Sequence, residues 1–234
     1  LLKMNKNILI TGNRKGIGLQ LSSYFLEKGF NVIGCSRGKS SLKHKNYKHF
    51  ICDVTDEKIV KETIRNIKNI YGSIDILINN AGIASMNHSI LTPGTTLKKV
   101  FETNFYGSFF FSRECAKLMI KKREGRIINF SSVAVPLNLQ GEMVYASSKS
   151  AVEKMTKIMA KELSNYNITV NAIGPTPIET DLIRAIPKNK IQKLLESQPI
   201  SRLGKFEDVE NVIDFFISDK SSFITGQIIY LGGL

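Results

Sequence analysis

Cysteine is scarce in this chain. Cys35, Cys52 and Cys115 are odd in number and widely spread over 234 residues. They form neither a metal-ligand spacing nor a disulfide framework, which argues against a stapled secreted scaffold and predicts a reducing compartment and no metal site. Each reads as a small buried apolar residue. Long apolar runs are missing as well: no segment approaches the roughly 20 uninterrupted apolar residues that span a bilayer. The opening Leu1-Leu2-Lys3-Met4-Asn5-Lys6 holds no run of signal-peptide length. A cytoplasmic protein with no membrane partner is the expectation. Linkers rich in Pro, Gly or Ser and internal repeats are also lacking, so residues 1–234 are expected to form one domain with a well-filled core.

Acid is the minority charge. Twenty Asp and Glu stand against 33 Lys and Arg, a formal net charge of +13, in a chain whose 42% apolar and 23% charged residues are otherwise ordinary. Such a balance raises the question of a nucleic-acid partner. The basic clusters at Lys39–Lys45 and Lys121–Arg123 are not interleaved with stacking aromatics and belong to no recognisable nucleic-acid module, so none is expected. A positive surface of this kind also attracts an anionic cofactor or an acidic carrier protein.

What is present is alternation. Apolar runs and helical patterns take turns, which predicts an α/β fold: a single doubly wound parallel sheet, Rossmann-like, with helices on both faces. Strands are expected at Asn7–Thr11, Asn31–Ser36, Tyr47–Cys52, Ile74–Asn79, Arg126–Ser131, Ile168–Ile173 and Gln227–Leu231. Helices are expected from Gly16 to about Lys28, over Asp56–Tyr71, from Leu97 to about Lys122, over Met143–Tyr166, and near Lys188–Ser197 and Glu207–Ser218. Ala84–Thr96 and the stretch between Gly174 and Pro187 carry little regular signal. Both leave carboxyl ends of strands, where such sheets place ligands, and are candidates for a substrate rim.

The run Thr11-Gly12-Asn13-Arg14-Lys15-Gly16-Ile17-Gly18 follows the first strand and opens the first helix. A pyrophosphate needs backbone N–H groups at a helix start and room to approach the chain. Gly12 suits the tight turn, Gly16 the close approach and Gly18 the packing of helix on strand. The spacing is Gly-x3-Gly-x-Gly, not the Gly-x-Gly-x2-Gly of the general dinucleotide fingerprint, and a turn with a merely structural job is the competing reading.

Tyr145 and Lys149 stand four residues apart, thirteen and seventeen residues after Ser132. On a helix this spacing puts both side chains on one face. A phenol with a pKa of about 10 is a usable acid but a poor base at neutral pH, and a fixed ammonium beside it is expected to lower that value. Tyr145 is thus the expected acid/base and Lys149 its tuner. Ser132, at the end of a strand, is placed to steady a developing oxyanion, with Ser131 as its rival. Spacing alone does not decide: Tyr24 and Lys28 share it, and one pair is expected to be surface decoration.

Taken together, Thr11-Gly12-x3-Gly16-Ile17-Gly18, Asn79-Asn80-Ala81-Gly82, Asn104, Ser132, Tyr145 and Lys149 resemble the short-chain dehydrogenase/reductase family, in order and over nearly the whole chain. Gly125–Val133 and Ile224-Thr225-Gly226-Gln227 are most similar to its bacterial 3-oxoacyl-[acyl-carrier-protein] reductases. The resemblance implies an NAD(P)-dependent oxidoreductase with Asn104, Ser132, Tyr145 and Lys149 as its catalytic set. Lys149 would also grip the nicotinamide ribose, and Asn104 would distort its helix and hold a water linking the lysine to solvent. It also favours Ser132 over Ser131. Cofactor-binding roles fall on Thr11, Gly12, Arg14, Lys15, Gly16, Ile17 and Gly18 in the turn, on Asp53 and Val54 near the adenine, and on Asn80, Ala81 and Gly82. Pro175, Ile178 and Thr180 would follow the sixth strand. There Thr176-Pro177 replaces the family's glycine step and stiffens the backbone.

One absence bears on which cofactor. An NAD-selective site carries an acid near the end of the second strand to bond the ribose hydroxyl. Here that strand ends Gly34-Cys35-Ser36-Arg37-Gly38, and Lys15 adds a second cation. Two cations suit a dianionic 2′-phosphate, so NADP(H) is expected over NAD(H). The expected substrate is a small-molecule ketone or an acyl thioester. An acyl carrier protein would meet basic residues beside the site, but Arg123 fills one such position and Tyr166 the other. A sugar-derived or other small ketone is the alternative, and a catalytically silent nucleotide-sensing or scaffolding role is a reading from another class. By resemblance the helices 97–122 and 143–166 pair between subunits, giving a homo-oligomer, either a tetramer or a dimer. Phe109-Phe110-Phe111 would be buried in that way or against the sheet.

Overall fold

The computed structural model describes residues 6–178 and 188–233, without the side chains of residues 188–190. Its strands are β1 (Asn7–Thr11), β2 (Asn31–Ser36), β3 (Tyr47–Ile51), β4 (Ile76–Asn79), β5 (Gly125–Phe130), β6 (Ile168–Gly174) and β7 (Ile228–Tyr230). All pair in parallel in one sheet of order β3-β2-β1-β4-β5-β6-β7. The winding reverses between β1 and β4. At that reversal two connections leave in opposite directions and open a crevice at the carboxyl ends of the strands.

The central strands are apolar throughout because both faces are covered. On β1, Ile8 and Ile10 pack into a core with Phe25 of one helix and Ile213 and Phe216 of another, while Leu9 faces a second core with Phe111 and Met119. The helices that make these layers are α1 (Gly16–Glu27), α2 (Glu57–Tyr71), α3 (Gly94–Phe101), α4 (Gly107–Lys122), α5 (Ala134–Leu137), α6 (Met143–Leu163), α7 (Lys188–Glu196) and α8 (Phe206–Ile217). Asp56, read as helical in the sequence, caps α2 instead: its carboxylate accepts from the N–H groups of Lys58 and Ile59. Cys35, Cys52 and Cys115 are all free and lie in one core cluster.

The single helix expected over 97–122 is two. α3 starts earlier, directly after Pro93, and a π-helical turn over Glu102–Tyr106 separates it from α4. The side chain of Asn104 sits inside that turn and ties it to a neighbouring loop, so the wider turn is anchored by a side chain, not by the backbone ladder alone. The four-residue α5 was too short to leave a periodic signal. No helix among the described residues is long and apolar enough to cross a membrane.

Candidate active site

A cleft of about 680 Å³ lies along the carboxyl edge of the sheet. Its floor is the turn between β1 and α1. Gly12 has φ +68°, and a β-carbon there would stand 2.7 Å from the Cα of Ala81, so only glycine lets the turn close against the loop after β4. The loop is fastened in return. Asn80 donates to the carbonyls of Thr11 and Gly12 at 2.9 and 3.2 Å, and the Thr11 hydroxyl accepts the Ala81 N–H at 3.0 Å. Gly12, Gly16, Ile17, Asn80, Ala81 and Gly82 line the cleft. Thr11 and Gly18 are buried behind it, with Gly18 pressed on Asn80 and the Gly12 carbonyl. Asn79 is buried as well, its amide donating to Asn129 and Ser112 at 2.8 Å.

One end of the cleft is cationic: Arg14, Lys15 and Arg37 line it beside Ser36. Asp53 and Val54 form the adjoining wall. The Asp53 carboxylate accepts from the N–H and the hydroxyl of Thr55, which fixes the turn after β3. A glycine turn at a helix start, open to the cleft and flanked by cations, fits a phosphorylated dinucleotide.

The other end holds the residues from which proton chemistry is expected. Tyr145 and Lys149 lie on α6, and Ser132 follows β5. The Ser132 hydroxyl is the side-chain partner that pulls the Tyr145 pKa down. Ser132 Oγ also accepts the Ala134 N–H at 3.2 Å. The rival Ser131 also lines the cleft, but its hydroxyl gives its proton to the buried carboxylate of Glu153. Lys149, 5% exposed, donates to the Phe130 carbonyl at 2.8 Å. Asn104 and Lys149 converge over Gly82, where a β-carbon would come within 3.3 Å of Asn104 Oδ1 and 3.4 Å of Lys149 Nζ. The Asn104 side chain is fully engaged: Oδ1 accepts from the Ile83 N–H, and the amide donates to the Ile83 carbonyl and Ser148.

The electrostatics differ from the sequence expectation. Lys149 was expected to lower the Tyr145 pKa. Instead burial pushes the phenol up to about 12; the Ser132 hydrogen bond works against this, and the charge of Glu142 adds to it. The reason is geometric. Lys149 Nζ is 6.0 Å from the centroid of the Tyr145 ring and is spent on a backbone carbonyl. Burial also brings the lysine itself down to about 8.

Pro175 and Ile178 line the cleft, as do Thr176 and Pro177. Ile178 is held by a bridge to Gly204. Thr180 lies outside the described residues. Two acids stand near the tyrosine and the lysine, and only the second, Glu153, escaped the sequence reading. Glu142, buried, lines the cleft next to Tyr145. Glu153, one turn beyond Lys149, accepts from Ser131 and from the Tyr230 hydroxyl at 2.6 Å. The signal for Glu153 was its place on the same helix face as Tyr145 and Lys149. Among the described residues no cluster of His, Cys, Asp or Glu is arranged to hold a metal.

A family model described as Enoyl-(Acyl carrier protein) reductase matches residues 11–233. The 3-oxoacyl-[acyl-carrier-protein] reductase FabG of Salmonella typhimurium is 32% identical, covering 97% of this chain and 96% of its own. The solved structure of ElxO with NADP bound superposes with a TM-score of 0.90 at 33% identity, covering 97% of each chain. The Thermoplasma acidophilum aldohexose dehydrogenase in ligand-free form gives 0.89 at 32% identity, over 99% of this chain and 94% of that one.

Proposed function

The chain belongs to the short-chain dehydrogenase/reductase family of NAD(P)-dependent oxidoreductases, and from that premise we propose that it is an NADPH-dependent carbonyl reductase with Tyr145 as proton donor. One observation carries the reading. The Tyr145–Ser132 hydroxyl pair stands in the same cleft as a glycine turn and three cations, Arg14, Lys15 and Arg37. Bound in that cleft, NADPH supplies a hydride.

The residues supply the rest. Reduction of a ketone leaves an alkoxide unless a proton arrives with the hydride, and the Tyr145 hydroxyl is the donor on hand. Ser132 Oγ accepts the Ala134 N–H, which leaves its own hydrogen for the phenol oxygen or, once a ketone is bound, for the carbonyl oxygen. A phenol held near 12 keeps its proton until the substrate oxygen needs it. Lys149 holds the positive charge nearest to the place where negative charge passes, and Asn104 fixes the Gly82–Ile83 loop beside it. The cationic end supports NADP(H) over NAD(H): Arg14, Lys15 and Arg37 match a 2′-phosphate, and the end of β2, Gly34-Cys35-Ser36-Arg37-Gly38, carries no acid.

For the substrate we propose a 3-oxoacyl thioester, on the likeness to FabG. The docking of an acyl carrier protein has weaker support here. Arg123 donates to the Asn165 carbonyl at 2.8 Å and lies over the ring of Tyr166, which occupies the second docking position. A small hydroxylated ketone is the second reading, favoured by Glu142: a buried carboxylate on the cleft wall suits a substrate with hydroxyl donors better than an acyl chain. A homo-oligomer joined through α4 and α6 is also proposed. Phe111 is in the core, whereas Phe109 and Tyr106 are exposed, and light scattering of a 26.2 kDa particle would refute it.

The test is NADPH oxidation with acetoacetyl thioesters and, in parallel, with sugar-derived ketones, comparing wild type and Tyr145→Phe. Turnover that survives in Tyr145→Phe would remove the proton donor from the proposal. Turnover with the sugar-derived ketones alone would transfer it to the second reading.

A further inference from the structure

Behind the cationic end of the cleft lies a chain of side-chain hydrogen bonds that crosses three strands. Asn13, in the turn after β1 and fully buried, donates to the Ser22 hydroxyl at 3.2 Å and to the Tyr47 hydroxyl at 2.7 Å. Tyr47 and His49 are alternate residues of the edge strand β3, so their side chains share a face. The Tyr47 oxygen is 3.1 Å from His49 Nδ1, and His49 Nε2 is 2.9 Å from the Gly38 carbonyl. Asn13 reaches β3 only because Gly34 of the intervening β2 has no side chain. A β-carbon there would sit 1.9 Å from Asn13 Nδ2 and 2.6 Å from the Tyr47 oxygen.

With a neutral His49 ring, the hydrogen bonds of this chain each take one direction. Both ends are backbone carbonyls, which only accept. At one end the Ser22 hydroxyl donates to Gly18 O, so it must accept from Asn13. At the other, His49 Nε2 donates to Gly38 O, so in the neutral ring Nδ1 accepts and Tyr47 donates to it. The Tyr47 oxygen then takes the second Asn13 proton. The result is a rigid brace between two turns: Gly12–Lys15, which carries Arg14 and Lys15, and Ser36–Gly38, which carries Arg37. Ser36 Oγ adds a second bond to the Gly38 carbonyl at 2.8 Å. Arg14 lies along Gly38, with its Cδ and Nη1 3.5 Å from where a β-carbon would stand.

We propose that Asn13, Tyr47 and His49 are positioning residues for cofactor selection: they hold Arg14, Lys15 and Arg37 at the separation that a 2′-phosphate bridges. The inference rests on the NADP(H) reading above. Three like charges at one end of a cleft repel one another, and the brace adds to the β1–β2 pairing in holding their turns against that repulsion. Fixing them beforehand removes the ordering cost from binding. A neutral 2′-hydroxyl gains little from that arrangement, so the brace acts on the preference between the two cofactors and not on nucleotide binding as such.

Equilibrium binding of NADPH and NADH to the full chain tests this, read from nucleotide fluorescence against a protein without tryptophan. The variants are Tyr47→Phe, His49→Leu and His49→Gln, the last keeping an N–H for Gly38 and an acceptor for Tyr47. Tyr47→Phe and His49→Leu are expected to weaken NADPH binding by about tenfold, to leave NADH binding within about twofold of wild type, and His49→Gln to regain most of the loss. An unchanged NADPH-to-NADH ratio in both variants, or equal loss of both nucleotides, overturns the inference and leaves the NADP(H) reading standing. A wild type that does not prefer NADPH overturns the reading itself, and the inference with it. If His49→Leu fails to fold, Tyr47→Phe, which keeps the ring volume, decides by the same ratio.

Discussion

Two tyrosine–lysine pairs with the same spacing sit on two helices of this molecule, and their surroundings make them different objects. Tyr24 and Lys28 close α1 against α8. Both are claimed by one carboxylate: the Tyr24 hydroxyl donates to Asp214 at 2.5 Å, Lys28 pairs with the same oxygen, and the ammonium lies 4.2 Å from the centroid of the Tyr24 ring. Burial and Asp214 together hold the phenol above its ordinary value. Among the described residues, Tyr145 and Lys149 have no carboxylate hydrogen-bonded to both of them. Their contacts are a serine hydroxyl and a main-chain carbonyl, groups that a substrate or a ribose can replace. A pair that satisfies itself with a full charge is a strut. A pair satisfied by neutral groups at a cleft is available for chemistry.

The largest break in this comparison is Tyr145→Phe. It removes the proposed proton donor and leaves the ring, so turnover is expected to fall by roughly 10²–10⁴-fold with NADPH affinity retained. Steady-state kinetics with a nucleotide titration check both halves. A loss of affinity as large as the loss of turnover would mean that the ring was holding the cofactor.

Next comes the serine pair. Ser132→Ala is expected to cost roughly 10²-fold in kcat, as removal of an oxyanion donor does. Ser131→Ala should leave kcat within several-fold and lower the melting temperature, because Glu153 then keeps only the Tyr230 hydroxyl. Reversed effects would exchange the roles of the two serines.

Lys149→Met separates stability from function. Burial holds the folded lysine near about 8 against an ordinary 10.5. Between those values the unfolded chain binds more protons than the folded one, so stability rises with pH through that window, and below about 8 the full penalty is present. Lys149→Met escapes the penalty. At pH 7 it is expected to melt above wild type by roughly 5 °C while losing activity, and the gap should close as pH approaches 10. Calorimetry at several pH values checks this. A gap of constant size would show that titration of Lys149 is not its cause.

How much of this was legible beforehand depends on what leaves a pattern. The fold was, because strands buried on both faces must be apolar throughout and helices between them must be amphipathic. The glycine turn and the Ser132–Tyr145–Lys149 spacing were, since they lie within short stretches of chain. The break at Asn104 was named only through resemblance: a π-turn hinges on one side chain bonding a distant loop, here Ile83. Glu153 and the Asn13–Tyr47–His49 brace were missed for the same reason. Their partners lie up to 77 residues away, and a lone acid or histidine between apolar neighbours looks like any solvated position. The pKa of Tyr145 was misread because proximity along a helix was taken for charge contact, whereas Lys149 is turned to Phe130.

The smallest effect belongs to the other pair, and it is the one that tests whether context decides. Tyr24→Phe removes one hydrogen bond to Asp214 and leaves Lys28 paired with it. The carboxylate keeps its cation, so no buried charge is stranded, and the expected loss is about 1 kcal/mol, or roughly 2–4 °C in Tm, with kcat and KM unchanged. The charge pair itself is partly exposed and adds little beyond that. Thermal melts alongside NADPH-dependent turnover suffice. If Tyr24→Phe lowered turnover, spacing would have outweighed surroundings, and the distinction between a strut and a site would fail at the position where it should be plainest.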